Sequence, residues 1–520
     1  ILNTAIAAYD TAIDTIADYA ETGAVAPATT DYAAAGVTGV SSANLAAIND
    51  AINSQNGADN TLGTVDDRGD ADSAAEVQAI VNAYNKIITA ADGNDSNAPA
   101  QPTAADYAAI GVTGVTEASA ALLSDVVNGK SYGDIDTGAE VQALANAAQA
   151  VLGYDDPASD VAPTAAQINA LVAGQTTGGA TLGAAPVSDD ALKAVQAAID
   201  AANSDGTVIA NQAELAAVVK SAVDQFNAAL NAIETAALNN TATATTPTVA
   251  DYTDLGVSGV SNTNLAAINS VLNTAAVNDA AVNTAAEVQT LVNTYQKVFN
   301  AADGTDSNSG AAAPTLADYQ LLGLTGLDNT HAVLLSDVVD GKQTSDVNSA
   351  EALQTLATAV ATVFSTTADL TATADQINAL VAGQTPTGAS TPLGASVVTD
   401  EALLAVRNAI HAANNDGTPL ATQQELADLV QAALSAYNAA ADKLAAYAQD
   451  DGAAAASNAS LTPVLGDYIA LGVTGIGGAG QPSVATINSA LADPDIIGTE
   501  ADQRTEVQAI VDAYAAILQS

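Results

Sequence analysis

Apolar residues recur at helical spacing along most of the chain. In the clearest stretch they occupy every third or fourth position, which is the period of one buried helix face. This stripe consists of Val77, Ile80, Val81, Tyr84, Ile87 and Ile88. Ser73-x-x-Glu76 precedes it, and this spacing is typical of a capping box at a helix start. The pattern therefore predicts a helix here, and four more where the box returns at Thr137–Glu140, Asn211–Glu214, Thr284–Glu287 and Thr422–Glu425.

The same pattern is repeated over long distances. DYAAAGVTGV, DYAAIGVTGV and QINALVAGQT each have close copies elsewhere in the chain. Internal self-similarity of this kind is the signature of a repeat protein. It defines three module types, called A, B and C. The A copies begin at Asp31, Asp251 and Asp467, the B copies at Asp106 and Asp318, and the C copies at Gln167 and Gln376.

We therefore predict an all-α fold, a tandem array of small three-helix modules. In each A or B module a short helix stops at a glycine such as Gly36, which can take the left-handed conformation that closes a helix. A second helix and a longer third helix follow. The predicted boundaries are 1–23 (end of a C module), 24–98 (A), 99–161 (B), 162–245 (C), 246–310 (A), 311–371 (B), 372–458 (C) and 459–520 (A).

The connections between modules follow from their size. A module of roughly 60–80 residues has a core that is only marginally stable alone, so neighbouring modules are expected to stabilise one another. The long third helices of the C modules, near Asn211–Ala237 and Thr422–Ala448, are candidates to cross a module boundary. The stretches Asn239–Thr246 and Asp451–Ser460 are predicted to be less ordered linkers. The chain begins at Ile1 within a helical pattern, and we expect it to be a segment of a longer protein.

Charge and composition limit the classes of partner that the chain can bind. The chain has 59 acidic and 10 basic residues, a formal net charge of −49. The basic residues are scattered singly, so the basic patch that nucleic acids require is missing and nucleic-acid binding is excluded. No apolar run approaches the roughly 18 residues of a membrane span, so membrane insertion is not expected. Cys and Met are both absent, which suits a protein exposed outside the cell.

The pattern does not predict an enzyme. The two histidines, His331 and His411, lie in different modules and do not recur, and we interpret both as partly exposed helix residues. The GVTGV turns lack the Lys-Ser/Thr of a phosphate loop, so we interpret them as tight helix connections. The repeated tyrosines could stack on carbohydrate, but we favour core rings with hydrogen-bonded hydroxyls. They are Tyr32, Tyr107, Tyr252, Tyr319 and Tyr468.

One acidic loop is a candidate metal site. Calcium takes several oxygen ligands from flexible loops. The loop before the third helix of the first A module carries Asp59, Asp66, Asp67, Asp70 and Asp72. The sequence therefore suggests calcium as a cofactor at this loop. The alternative is the ordinary turn chemistry of Asn, Asp and Gly.

The pattern PTxADYxxLGVTGV…NLAAINxxL…TAAEVQxLVNxYxxI resembles the helical repeats of very large secreted bacterial surface proteins of the adhesin, biofilm or surface-layer kind. Clear copies of its start lie at Pro102–Val112, Pro247–Val257 and Pro314–Leu324, and the C modules, which lack the Asp-Tyr start, resemble it less closely. The resemblance implies an extracellular cell-surface scaffold, such as a stalk, filament or surface layer. Its partners would be copies of itself or other surface proteins. The alternative is an adhesive binding module that recognises a glycan, such as a polysaccharide, or a protein ligand.

Overall fold

A computed structural model shows an all-α protein, as the sequence predicts. It describes residues 2–23, 25–54, 71–93, 101–204, 209–239, 246–304, 313–365, 371–416 and 420–519. The chain divides into two compact units. The first contains Ile1–Asn231 and Ala250–Val257, and the second contains Ala232–Val249 and Ser258–Ser520.

In its described residues, the first unit is built mainly from nine helices and the start of a tenth. They are α1 Leu2–Thr22, α2 Thr29–Ala34, α3 Leu45–Asn53, α4 Ala74–Ala90, α5 Ala104–Ala109, α6 Glu117–Asn128, α7 Gly138–Leu152, α8 Ala165–Val172, α9 Leu192–Ser204 and α10 Gln212–Asn239. A short antiparallel ribbon, β1 Thr176–Thr177 and β2 Ala180–Thr181, follows α8. The next helix, α11 Val249–Asp254, has all but its first residue in the first unit.

The second unit contains the remaining helices. They are α12 Leu265–Leu272, α13 Ala285–Ala301, α14 Leu316–Leu321, α15 Asn329–Asp340, α16 Ala350–Val363, α17 Ala374–Val381, α18 Asp400–Asn415, α19 Gln423–Gln449, α20 Ala453–Ser457, α21 Leu465–Ala470, α22 Val484–Leu491 and α23 Arg504–Gln519. Single 3₁₀ turns lie at Tyr132–Asp134, Asp279–Ala281, Thr344–Val347, Ala459–Leu461 and Gly498–Glu500.

Helix starts follow the predicted capping chemistry, with one correction. At three of the five predicted boxes the N-cap hydroxyl and the glutamate each accept the expected backbone N–H; the N-caps are Ser73, Thr137 and Thr284. At α10 and α19 the glutamate accepts the N–H of Ala210 or Ala421, one residue before the N-cap. The prediction of a full box was wrong there. A glutamate side chain can reach either of two adjacent N–H groups, so sequence spacing alone does not choose between them.

The short helix α2 ends as predicted at Gly36. This glycine has φ +74°, and its N–H donates to the Ala33 carbonyl over 3.1 Å. The N–H of Val37 donates to the Tyr32 carbonyl over 2.8 Å. This pair of bonds is the Schellman arrangement, which satisfies the last carbonyls of a helix and favours glycine at the left-handed position.

The predicted apolar stripe of α4 lies in the core of the first unit. Val77, Val81, Tyr84 and Ile87 are fully buried, and Ile88 is half-buried. Most other buried apolar residues of this unit are Ala, Val, Leu and Ile. Because such side chains bury little area each, the stability of the unit depends on many small contacts.

Two predictions about connections had different outcomes. The expected long helices are present, since α10 has 28 residues and α19 has 27. The predicted linker Asp451–Ser460 is not irregular, because it contains α20. Asp450 accepts the N–H groups of Gly452 and Ala454, and this cap lets the alanine-rich stretch start a new helix. In the other predicted linker, Asn239–Thr246, residues 240–245 lie outside the described part of the chain.

Candidate functional site

The predicted calcium loop falls largely outside the described residues. This applies to Asp59, Asp66, Asp67 and Asp70. Asp72 is described, and its exposed side chain interacts with Glu76 in the first turn of α4. The hydroxyl of Ser73 donates to Glu76 over 2.7 Å, and this bond is the main reason that the pKa of Glu76 is lowered. Over the described ranges, no three His, Asp or Glu side chains come together in a metal-binding group. The calcium site stays a prediction.

Both histidines are partly exposed helix residues, as predicted. His331 lies on α15, and its ring Nδ1 is 3.0 Å from Asp328 Oδ1. The same oxygen accepts the backbone N–H of His331, and this bond is the main cause of the lowered pKa of Asp328. His411 lies on α18 with its ring 3.2 Å from the Asn415 amide. Each ring therefore contacts a residue of its own helix or helix cap.

The repeated tyrosines are core residues, which confirms the preferred interpretation. All five are fully buried. In the first B module the hydroxyls of Tyr107 and Ser124 lie 3.0 Å apart, and Ser124 donates its proton to the Pro102 carbonyl over 2.7 Å. Tyr107 must therefore be the donor to Ser124. Burial raises the pKa of Tyr107 above its usual value, so the hydroxyl remains protonated.

The same three-part cluster is found in other modules with Ser or Asn at its centre. Tyr32 donates to Asn49 over 2.6 Å, and Asn49 donates to the Pro27 carbonyl over 3.0 Å. The copies at Tyr319–Ser336–Pro314 and Tyr468–Asn488–Pro463 have the same connections. The cluster ties the start of each short helix to the second helix, which is a structural task.

The GVTGV turns are closed by a glutamine from the third helix. In the first A module the N–H of Thr38 donates to Gln78 Oε1 over 2.8 Å, and Gln78 Nε2 donates to the Thr38 carbonyl over 3.0 Å. We call this pair of bonds the turn clamp. It recurs at Gln142–Thr113, Gln289–Ser258, Gln354–Thr325 and Gln508–Thr474. The turn N–H that could hold a phosphate is already engaged, which agrees with the interpretation as a helix connection.

A second recurring contact joins consecutive predicted modules. A side chain on the second helix of one module accepts a backbone N–H at the start of the third helix of the next. We call this contact the junction cap. Among the residues that the structure describes, five copies lie within the two units: Asp50 to Gly138 (2.6 Å), Asp125 to Gln212 (2.8 Å), Ser270 to Ala350 (2.8 Å), Asp337 to Gln423 (2.6 Å) and Glu401 to Thr505 (3.0 Å).

The junction cap is physically suited to an acidic side chain. The first N–H groups of a helix have no partner within the helix and carry partial positive charge. At Asp337, however, burial raises the pKa above its usual value, and the bond from Gln423 only partly offsets this effect. The carboxylate at this junction therefore loses solvation as well as gaining a hydrogen bond.

Other polar side chains reach across the same junctions. The Tyr84 hydroxyl donates to the Ile135 carbonyl over 2.8 Å, and Tyr295 donates to the Val347 carbonyl over 2.7 Å. Asn203 donates to the Val151 carbonyl over 2.8 Å. Each bond connects the helix of one predicted module to the backbone of its neighbour.

Ion pairs accompany three of these junctions. Lys86 lies 2.6 Å from Asp106, and Lys297–Asp318 and Lys443–Asp467 are arranged in the same way. Burial alone would raise the pKa of Asp106, but the bonds from Lys86 and Thr103 together lower it. The side chains are 20–30% exposed. A pair in such a position contributes about 0–1 kcal/mol to stability.

The second unit has concave features that could hold a ligand, and two of them are described. One, of about 480 Å³, is lined by Leu316, Val333 and Asp337 among others. The other, of about 660 Å³, has Lys342 and Asp346 in its wall. Lys342 is only 8% exposed, and burial lowers its pKa, which Asp346 partly opposes. In the first B module the corresponding Lys130 donates to the Ala170 carbonyl over 3.0 Å.

The sequence carries a signal for the turn clamp. The glutamine follows the capping-box glutamate by two residues in the motif Glu-Val-Gln, at Gln78, Gln142, Gln289 and Gln508. A polar residue fixed at one position of an otherwise variable helix face indicates a specific contact. The junction caps gave no comparable signal, because acidic residues are abundant in this chain.

The described helices and the comparisons add two findings. Among the helices that the structure describes, none combines the length and apolar character that a bilayer span requires. No protein-family model, no curated protein and no solved structure matches this chain.

Proposed function

We propose that the chain is a non-catalytic, extracellular repeat segment of a bacterial cell surface, built from three-helix modules and acting as a stalk, filament or surface-layer scaffold. Its partners are copies of itself or other surface proteins. The observation that carries the proposal is the junction cap, because the same contact recurs between successive modules of different type.

The junction contacts favour a load-bearing role over a role in binding. A missing helix cap costs about 1 kcal/mol, and each junction adds apolar contacts and further hydrogen bonds to its cap. In a repeat array such interface energies add along the chain, so that neighbouring modules unfold together. A segment that must keep its register under tension benefits from this coupling.

The helical order supports the three-helix module. In the described residues, six of the seven predicted full modules contain three α-helices, for example α2, α3 and α4 in 24–98, and the module 372–458 has the short α20 as a fourth. The tyrosine cluster and the turn clamp join these three helices within one module. Both contacts recur in A and B modules, which indicates that the module is the unit that was copied.

Labelling of intact cells tests the proposal. An antibody against the chain is applied to intact and to permeabilised cells of the source organism, and the labelled surface is imaged by electron microscopy. We expect label on intact cells, arranged either as threads, for a stalk or filament, or as a lattice, for a surface layer. Label seen only after permeabilisation would overturn the extracellular location. Saturable binding of the purified chain to a defined glycan would favour the adhesive alternative.

A further inference from the structure

The last helix repeats the buried stripe of the earlier A modules. The apolar positions of α23 are Val507, Ile510, Val511, Tyr514, Ile517 and Leu518. They correspond one to one with the six stripe residues of α4. A helix that keeps apolar residues at all six positions is expected to bury all six against neighbouring helices.

The burial of this stripe in α23 is one-sided. Val507 and Val511 are fully buried by neighbouring helices of the second unit. Ile510 and Tyr514 are half-buried, whereas Ile517 is 66% and Leu518 is 59% exposed. At the position of Ile517, the first two A modules have Ile87 and Val298, and both are fully buried. We call the face formed by Ile510, Tyr514, Ile517 and Leu518 the α23 face.

The two earlier modules show what covers the corresponding face. α4 packs against α5 and α6, and α13 packs against α14 and α15. In both cases the covering helices come from a B module. The stripe tyrosine then donates its hydroxyl to a carbonyl of that module, from Tyr84 to Ile135 or from Tyr295 to Val347.

We propose that the α23 face is a docking surface for a B-type segment. Such a segment has a short helix starting with Thr-x-x-Asp-Tyr and a second helix carrying Leu-Leu-Ser-Asp-Val-Val, as in residues 99–161. On binding, Tyr514 donates to the carbonyl that corresponds to Ile135, and Ile517 enters the apolar contact made by Ile87. Docking of this kind follows from the interfaces within the chain, so it does not depend on where in the cell the protein is located.

The α23 face lacks a lysine that α4 and α13 have at the corresponding position. Ala516 stands where Lys86 and Lys297 form their ion pairs with Asp106 and Asp318. The aspartate of a docked B-type segment therefore has no lysine opposite it on α23. Binding depends on apolar burial and on the tyrosine bond, with no lysine–aspartate attraction at this position for salt to weaken.

A fusion of the full chain tests the proposal. Residues 99–161 are appended after Ser520, and amide hydrogen exchange is measured over 507–519. We expect exchange at 510–518 to slow roughly a hundredfold relative to the unfused chain, because a covered helix opens only with its interface. As a matched control, the C-type segment 162–245 is appended instead, and no such protection is expected. Equal exchange in all three proteins would overturn the proposal.

Variants of α23 separate docking from general stabilisation. Ile517→Asp in the unfused chain should leave the melting temperature unchanged, since this side chain is exposed. In the B-type fusion the same substitution should abolish the protection, and Tyr514→Phe should weaken it. A concentration-dependent dimer of the unfused chain that Ile517→Asp dissolves, and that fusion of residues 99–161 does not displace, would show that another part of a second copy covers this face, and the B-type proposal would be wrong.

Discussion

The amide of Gln354 closes its turn with two bonds, accepting the Thr325 N–H over 2.9 Å and donating to the Thr325 carbonyl over 3.2 Å. An alanine cannot make either bond. The neutral bonds of a partly exposed amide contribute about 1 kcal/mol each at most, since water replaces them in the unfolded chain.

We therefore expect Gln354→Ala to destabilise the second unit by about 1 kcal/mol. Urea unfolding followed by circular dichroism measures the effect. Gln320→Ala is the matched control, because Gln320 is an exposed glutamine on the neighbouring helix α14. An equal, small effect of both substitutions would show that the turn clamp does not contribute to stability.

The buried carboxyl of Asp337 should make the free energy of unfolding depend on pH. Burial raises its folded-state pKa, so the ionised form costs free energy in the folded protein. An asparagine at this position would keep an oxygen that accepts the Gln423 N–H and would remove the charge. We expect Asp337→Asn to be neutral or stabilising at pH 7, and Asp337→Ala to destabilise by about 1 kcal/mol.

The sign of the pH effect follows from the raised pKa. Protonated Asp337 is tolerated below its unfolded pKa, and stability is lost as pH rises from there through the folded pKa. The stability of wild type relative to Asp337→Asn should therefore fall between about pH 4 and the folded pKa and stay constant above it. Unfolding curves from pH 4 to 7 measure the difference. A rise over this range would contradict the assignment.

Elements are joined by contacts that their own sequences do not contain. The N–H of Gly138 at the start of α7 donates to Asp50 on α3, which lies 88 residues earlier. α3 packs against both α4 and α7, and Tyr84 of α4 donates to the Ile135 carbonyl just before α7. The start of α7 is therefore stabilised by two side chains of the preceding predicted module.

Removing this junction cap should uncouple neighbouring elements. We expect Asp50→Ala to cost about 1 kcal/mol and to increase hydrogen exchange at the start of α7 as well as in α3. Asp10→Ala on the exposed surface of α1 is the control. If exchange increases only in α3, where the substitution lies, the two modules behave as independent domains.

The local predictions that were correct concern features within a single helix or turn. The stripe of α4 depends on apolar spacings of three and four residues, the box at Ser73 spans three residues, and the Schellman turn at Gly36 spans five. Their geometry is set by the helix repeat itself. The predicted linker Asp451–Ser460 was wrong because its alanine content was interpreted as flexibility, whereas the cap from Asp450 starts a helix.

The whole molecule carries a formal charge of −49. Charges interact over about 10 Å at 0.1 M salt, which is comparable to the width of a helix. Carboxylates of adjacent helices therefore repel one another at low salt. Divalent cations screen this repulsion and can bridge carboxylates.

We expect millimolar calcium to raise the melting temperature more than magnesium does at equal ionic strength. Magnesium measures screening alone, because it keeps its waters and adapts poorly to loose carboxylate sites. The double variant Asp70→Asn and Asp72→Asn should remove only the excess due to calcium. Identical melting curves with calcium and with a chelator would show that calcium has no structural role in this protein.

The sequence by itself determined the all-α fold, the helix stripes, the turn glycines and the internal copies. These features depend on residues a few positions apart, whose relative placement the helical backbone fixes. Only the tertiary structure decided which carboxylate caps which helix, and that Gln78 closes the turn at Thr38. A chain with 59 acidic residues offers many equivalent candidates for each cap. The choice among them depends on how helices pack, because a hydrogen bond across 88 residues forms only when packing brings its two ends within about 3 Å.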